Sequence, residues 1–431
     1  MTHDSTTRDI SKRPTDVGVW FDLEIPIICT YSVEDADAIP SPMSTGRVTL
    51  PPAYRALVDL TGPQPRIPEQ DIDWPGTIAL ARRHKVLPLL AHGINCTGIE
   101  STIPEAQRKK LATLRRRLAM RSLRHTRDTV AVVDALLTDG IGVTVIKGAA
   151  IGTAVYGDAA LRSPGDIDIL ISPDDLLATA HTLAALGYRP VQPGILESAD
   201  KRTRLLRHAK DFTFVGPGER TVLECHWRLH TNPEMYPFEP QTLCDPHTVV
   251  LGTRAIPTLP AVDHFVYLCF HGVKHLYQRL KWLNDVRWIL HDGAFIDYDW
   301  NAVAERAIAL RKGRLTAATV QLAAHFDPLG DPPPLHTLVD EYSSADQIVR
   351  DCLWLQSRAG VTAADPQRTL MDRARFNYRS HRAAKPDDTV FGGAITNALR
   401  PTAADIEAFD APFGWEWPLA LRRIAGHRTG R

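Results

Sequence analysis

Apolar residues recur at helical spacing over Leu50–Leu60 and again over Trp74–His92, where Ile78, Ala81, Val86, Leu89 and Leu90 mark the period. Pro51 and Asp73 stand where helix starts belong. A longer helical pattern covers Ile103–Asp139, carried by Leu111, Leu114, Leu118, Leu123, Val130, Val133 and Leu136. The pattern then shortens. Val143–Ile146 is a brief apolar run that reads as a buried strand; Lys147-Gly148 end it, and Ala149–Tyr156 read as a helix. Turn residues follow at Gly157-Asp158 and Ser163-Pro164-Gly165. They deliver Asp166-Ile167-Asp168 onto a second apolar strand that ends near Ser172.

Pro173–Leu186 read as a helix with Asp174 and Asp175 in its first turn, where they complement the dipole, and Gly187 as its stop. Tyr188–Val191 fit a short strand, and Leu196–His208 an Arg-rich irregular or helical stretch. A hairpin is predicted next: Asp211–Val215, a turn at Gly216–Arg220, then Thr221–Leu229. From Pro260 the period is helical again. Asp263–Asp292 carry Cys269, Val273, Leu276, Leu280, Leu283, Val286 and Leu290 near a seven-residue repeat. The rest, Trp300–Arg431, reads as helical with Pro breaks, and the first residues as irregular and dispensable apart from an apolar patch at Val19–Tyr31. The expected divisions are an irregular segment 1–48, a helical region 49–139, a catalytic core 140–258 and a helical domain 259–431.

Composition narrows the function classes. At 431 residues the chain is long enough for one large or two ordinary cores. Lys+Arg and Asp+Glu balance at 50 each, so no global field points to nucleic acid or to a membrane surface, and DNA is not an expected partner. Cys29, Cys96, Cys225, Cys244, Cys269 and Cys352 lack CxxC spacing, which argues against a disulfide framework and a zinc ribbon. No stretch approaches the ~20 apolar residues of a membrane span. The opening MTHDSTTRDISKRP holds no apolar signal core, and a cytoplasmic protein is expected.

The chemistry concentrates at Val143–Ser172. Side chains alternate along a strand, so Asp166 and Asp168 share one side while Ile167 and Ile169 enter the core. Two carboxylates about 7 Å apart by strand rise suit one or two hard divalent cations such as Mg²⁺. Gly148, just before a helix, lets backbone approach a phosphate at a helix end that favours negative charge.

The arrangement of Gly148, an intervening helix and Asp166-x-Asp168 resembles the nucleotidyltransferase superfamily built on the DNA polymerase β core. More narrowly, IKGAAIGTAVYGDAALRSPGDIDILI is similar to a bacterial nucleotidyltransferase family with Lys-Gly-Ala, Tyr and Arg-x-x-x-Asp-Ile-Asp; abortive-infection nucleotidyltransferase toxins share the Lys-Gly start. The resemblance implies an α+β fold with a small mixed sheet, flanked by helical regions. It implies transfer of an NMP from an NTP to an acceptor hydroxyl, with release of pyrophosphate and Mg²⁺ or Mn²⁺ as cofactor. It also implies a third carboxylate on a strand beside the Asp-x-Asp strand. Glu224 in LECHWRL is the candidate, Asp211 is its rival, and His226 orients a carboxylate, touches substrate or is structural. Ala149 stands where the wider superfamily has a Gly or a Ser, whose hydroxyl can touch phosphate, and the spacing from Gly148 to Asp166 is long. Phosphate holding then rests on backbone amides at Gly148 and Ala149 and on Lys147 and Arg162, with Lys274 or Lys281 added from the helix that follows the core. The segment RPTAADIEAFDAPFGWEWPLALRRI resembles the C-terminal part of the same family.

Other readings stay open. Between Arg108 and Arg127 the long helix carries Lys109, Lys110, Arg115, Arg116, Arg117, Arg121 and Arg124 and no acid, which is either a groove for RNA or another polyanion or a solvated face. His271 and His275 have i,i+4 zinc spacing without an evident third ligand. Asp-x-Asp also occurs in haloacid-dehalogenase phosphatases, but these expect Gly-Thr soon after, where Ile169-Leu170-Ile171-Ser172 stand here. It occurs too in glycosyltransferases, which lack the Lys-Gly turn. A degenerate nucleotide- or partner-binding module and a toxin-like enzyme acting on tRNA or protein are the remaining alternatives. NTP and an unidentified acceptor are the expected partners.

Overall fold

The computed structural model describes residues 49–237, 247–297, 299–329, 334–342, 346–358, 379–380, 382–385 and 401–408. The irregular segment 1–48, its apolar patch, Cys29, Cys244 and most of the C-terminal stretch likened to the family lie outside the described residues.

Three helices, α1 (Pro52–Thr61), α2 (Trp74–Arg83) and α3 (Leu87–Thr97), lead to the 34-residue α4 (Glu105–Thr138). The core follows as β1 (Val143–Val145), α5 (Ala149–Tyr156), β2 (Ile167–Ile171), α6 (Leu176–Ala185), β3 (Arg189–Pro190), α7 (Pro193–Glu197), α8 (Ala199–His208), β4 (Asp211–Val215) and β5 (Val222–His226). A hairpin, β6 (His247–Leu251) and β7 (Arg254–Thr258), closes it. Helices then continue as α9 (Ala261–Lys274), α10 (Leu280–Asp292), α11 (Trp300–Ala309), α12 (Gly313–Ala324), α13 (His336–Glu341), α14 (Asp346–Gln356) and α15 (Ala403–Ala408).

The seven strands form one mixed sheet in the order β3-β4-β5-β2-β1-β7-β6. Neighbours β1 and β2 are antiparallel, β2 and β5 parallel, and β4 and β5 antiparallel. Sheet and helices together give the α+β architecture expected from the sequence. The β6–β7 hairpin was not expected, although HTVVL and RAIPT on either side of Gly252-Thr253 have the two-residue connection of a tight hairpin.

Strand β2 is buried along its whole length because each of its faces meets a different core. Ile167, Ile169 and Ile171 join one that includes Val133, Leu205, Phe212, Phe214 and Leu223. Leu170, on the side of Asp168, joins the other. That second core combines α1–α3 with α9–α14, so helices before and after the sheet share one apolar interior. Tyr54 of α1 bonds Gln356 of α14, and Trp288 of α10 donates to the Thr61 carbonyl at 3.3 Å. Asp168 therefore faces the helical half of the molecule.

The single helix expected over Asp263–Asp292 is two, with a break at 275–279. Leu276 and Tyr277 adopt φ of 48° and 49°, and the Tyr277 N–H returns to the Gly272 carbonyl at 2.7 Å. The Tyr277 ring lies against Gly272, where a Cβ would meet Cε1 at 2.1 Å. Gly272 is thus the residue that admits the break. The Tyr277 hydroxyl meets Thr319 at 3.0 Å, and Gln356 donates to its carbonyl at 2.7 Å, so tertiary contacts outweigh the helical period.

Candidate active site

Parallel pairing of β2 and β5 sets Ile167 opposite Leu223, Asp168 opposite Glu224 and Leu170 opposite His226. Directly paired residues point to the same face, so Asp168 and Glu224 stand side by side. His226, two residues on, joins them: its Nε2 lies 3.3 Å from Asp168 Oδ1 and 3.3 Å from Glu224 Oε2. Asp168, Glu224 and His226 each offer a ligand atom within 4.8 Å of the others, and among the described residues they are the one group of this kind. Asp166 lies just ahead of β2, exposed and outside that group.

The electrostatics of the cluster are uneven. Asp168 is buried, and desolvation alone would raise its carboxyl. Lys147 Nζ, at 3.1 Å from Oδ1, and the His226 imidazole outweigh that and hold it well below the carboxylate range. Lys147 is desolvated too, but Asp168, Tyr267 and Glu224 keep it charged beyond the ordinary lysine range. Its Nζ sits 5.8 Å from the centre of the Tyr267 ring. Asp166 moves the other way: desolvation first, then the charges of Asp168 and Glu224, raise its carboxyl. Burial and Lys210 depress His226, yet its bonds to Asp168 and Glu224 and the charge of Asp211 leave it above the usual imidazole value. Asp211 is occupied by Lys210 on the far side of His226, which separates this rival acid from the β2 pair.

The turn before α5 brings Lys147 to these acids. Gly148 has φ 74° and ψ −133°, a backbone open in practice to glycine alone. A Cβ there would meet His125 Cε1 at 3.2 Å. His125, from α4, bonds the Asp166 carbonyl through Nε2 at 3.2 Å and so ties the long helix to the start of β2. Ala149 opens α5 and is buried.

The remaining basic residues expected at a phosphate lie elsewhere. Arg162 is buried against Asp285, with Nε at 3.1 and 3.2 Å from the two carboxylate oxygens and Nη2 at 3.0 Å. Its Nη1 donates to the Gly148 carbonyl at 3.3 Å, and the Tyr156 hydroxyl donates to Asp285 at 2.8 Å. Arg162 braces the Lys147-Gly148 turn from behind. Lys281 is buried as well; its Nζ donates to the Ser163 carbonyl at 3.3 Å. Burial and the nearby charges of Arg162 and Lys85 press its ammonium well below the ordinary lysine range. The break after α9 separates Lys274 from Lys281, and leaves Lys274 near His271. His271 and His275 pack with the Trp282 ring at 5.1 and 4.9 Å, and neither belongs to a group of three metal-ligating residues among those described.

The sequence reading missed His125, Lys85 and Lys210. Lys210 had a visible signal, a cation directly before the strand residue Asp211. His125 and Lys85 had none, because only tertiary packing brings them to Asp166.

Among the described residues no helix is long and apolar enough to cross a membrane. No curated protein and no solved structure matches the chain. The family described as uncharacterised nucleotidyltransferase matches residues 70–327, which takes in α2, α3, α4, the whole sheet and the helices through α12. With more than half of its 431 residues matched, and acids paired across β2 and β5, this chain belongs to that nucleotidyltransferase family.

Proposed function

We propose that the protein is a metal-dependent nucleotidyltransferase of the polymerase β type, transferring an NMP from an NTP to an acceptor hydroxyl with release of pyrophosphate. The observation that carries this reading is the in-register pairing of Asp168 with Glu224 beside Asp166. Asp166, Asp168 and Glu224 are the proposed metal ligands and catalytic carboxylates. Their donor chemistry fits a hard cation: Asp168 and Glu224 stand paired in register, and their charges add to the desolvation that raises the Asp166 carboxyl. When bound there, Mg²⁺ or Mn²⁺ supplies Lewis-acid neutralisation of the α-phosphoryl oxygens and activation of the attacking hydroxyl.

The protein's own residues do the positioning. Lys147 balances Asp168 and lies at the turn where triphosphate would approach the backbone of Gly148 and Ala149. His226 fixes the orientation of both paired acids. Arg162, sealed against Asp285, supports the turn rather than touching phosphate. Lys281 sits behind the Ser163–Asp166 segment, and Lys274 remains the candidate from α9 for the outer phosphates. In this reading the core 140–258 carries the chemistry, while the described helices of the regions 49–139 and 259–431 pack around it. Positioning and charge stabilisation supply most of the rate in transfers at phosphorus.

The test is incubation of the purified chain with each NTP labelled at the α-phosphate, divalent metal and a cell extract. Label entering an acceptor with Mg²⁺ or Mn²⁺, and none after chelation, is the expected result. Absence of transfer from every NTP would overturn the reading and favour a nucleotide-binding module.

A further inference from the structure

One cavity borders the candidate active site without belonging to it. A groove of about 480 Å³ runs between α4 and the β4–β5 turn, and Arg121, Arg124, Arg127 and Arg220 are among the residues lining it. It adjoins the start of β2, since the lining includes Gly165, the residue before Asp166, and His125, which bonds the Asp166 carbonyl. Arg127 is paired with Asp128 at 2.7 Å, and Asp128 also accepts from Thr221. Arg121, Arg124 and Arg220 form no ion pair among the described residues. A balanced protein that leaves arginines uncompensated around a cavity presents them to an anion.

The groove has a basic approach. At about 100° per residue, Lys110, Arg117, Arg121 and Arg124 fall within one narrow stripe of α4, and all four are exposed. The stripe is about 21 Å long by helix rise, too long for one small anion and suited to several phosphates of an extended chain. Met120, 52% exposed, projects between the azimuths of Arg124 and Arg127 and offers apolar surface to bases. Arg108 and Arg115 lie on the opposite side of the same helix.

We propose that this groove and stripe seat the phosphate backbone of a single-stranded nucleic acid, with Arg121, Arg124 and Arg220 as its principal contacts. Resting on the proposed nucleotidyl transfer, the bound strand is the acceptor, and its terminal hydroxyl is presented past Gly165 to Asp166. Strand binding does not itself depend on the transfer chemistry, so the two claims are separable.

The experiment is a fluorescence anisotropy titration of the full chain with dye-labelled single-stranded RNA and DNA of the same sequence, about 20 nucleotides long, over a range of salt. Arg121→Gln/Arg124→Gln is expected to weaken binding about tenfold. It is also expected to flatten the slope of log affinity against log salt by about 1.4, since each lost phosphate contact on a single strand removes about 0.7. Arg108→Gln/Arg115→Gln, an equal loss of charge on the opposite face, is expected to stay within about twofold of wild type. Asp168→Asn is expected to bind as wild type does. Binding of RNA alone, DNA alone or both with this face dependence supports the proposal and distinguishes the strand. Equal losses in the two double variants, or no binding of either strand at low salt, overturn it and leave a protein or small-molecule acceptor. Face-dependent binding without nucleotide transfer from any NTP would sink the transfer reading while leaving the strand-binding groove in place.

Discussion

Two charged clusters lie on opposite sides of the Lys147-Gly148 turn and are built from the same groups to different ends. Behind the turn, Arg162 is matched by one carboxylate, Asp285, whose remaining bond comes from Tyr156, and all three are buried. In front of it, Lys147 and His226 face Asp168 and Glu224, with Asp166 just beyond; Glu224 is half-buried and Asp166 exposed. The first cluster is balanced and sealed, which is how a buried ion pair avoids an uncompensated charge. The second has more carboxylate than cation and opens to solvent, and the charges of Asp168 and Glu224 add to the desolvation that makes Asp166 resist ionisation. A surplus of carboxylate open to solvent, rather than a balanced and buried pair, distinguishes a site from a brace.

The comparison breaks most visibly at Asp168. Asp168→Asn is expected to reduce nucleotide transfer by at least about 10⁴-fold, roughly 5.5 kcal/mol of transition-state stabilisation, as measured by label incorporation under single turnover. Circular dichroism should show the fold retained. Asp285→Ala should do the reverse. Removing the partner of a buried Arg162 is expected to cost about 3–5 kcal/mol of stability, read from the urea midpoint, with activity falling because the chain unfolds.

A pH series sharpens the sealed side. His264, fully buried, bonds the Ile146 carbonyl at 2.8 Å, and burial lowers its pKa to about 3. Its folded value lies below the unfolded one, so its stabilisation is present above about pH 6.5 and is lost as pH falls toward 3. The loss should be on the order of 4–5 kcal/mol, measured as the difference in urea stability between wild type and His264→Asn across that window. A smaller effect is expected at Gly148→Ala. The positive φ costs about 1–2 kcal/mol, and displacement of His125 and Lys147 should lower transfer while the melting temperature falls by a few degrees.

The front cluster was largely legible in the sequence. Strand alternation is local, so Asp166, Asp168, Ile167 and Ile169 sort themselves, and the hairpin signal around Gly216–Arg220 delivers Glu224 and His226 on one face. The rear cluster was not legible. Asp285 is 123 residues from Arg162, and nothing near either one announces the other. Arg162 therefore read as a phosphate ligand when its charge is already spent on Asp285. Lys281 misled for a related reason: a smooth helical period hid the break at Tyr277, and only Gly272 within that period hinted at it. The basic face of α4 could be seen in the sequence, but not that it ends in a groove beside Asp166.

The most direct test of the account is Glu224→Gln, assayed for transfer of α-labelled nucleotide and for melting temperature in the same preparation. The account predicts transfer lost to background with the melting temperature within about 2 °C of wild type, about what a change of 1 kcal/mol or less produces in a chain of this size. Transfer at the wild-type rate in Glu224→Gln would contradict it, because the pair on β2 and β5 would then not be the site of reaction.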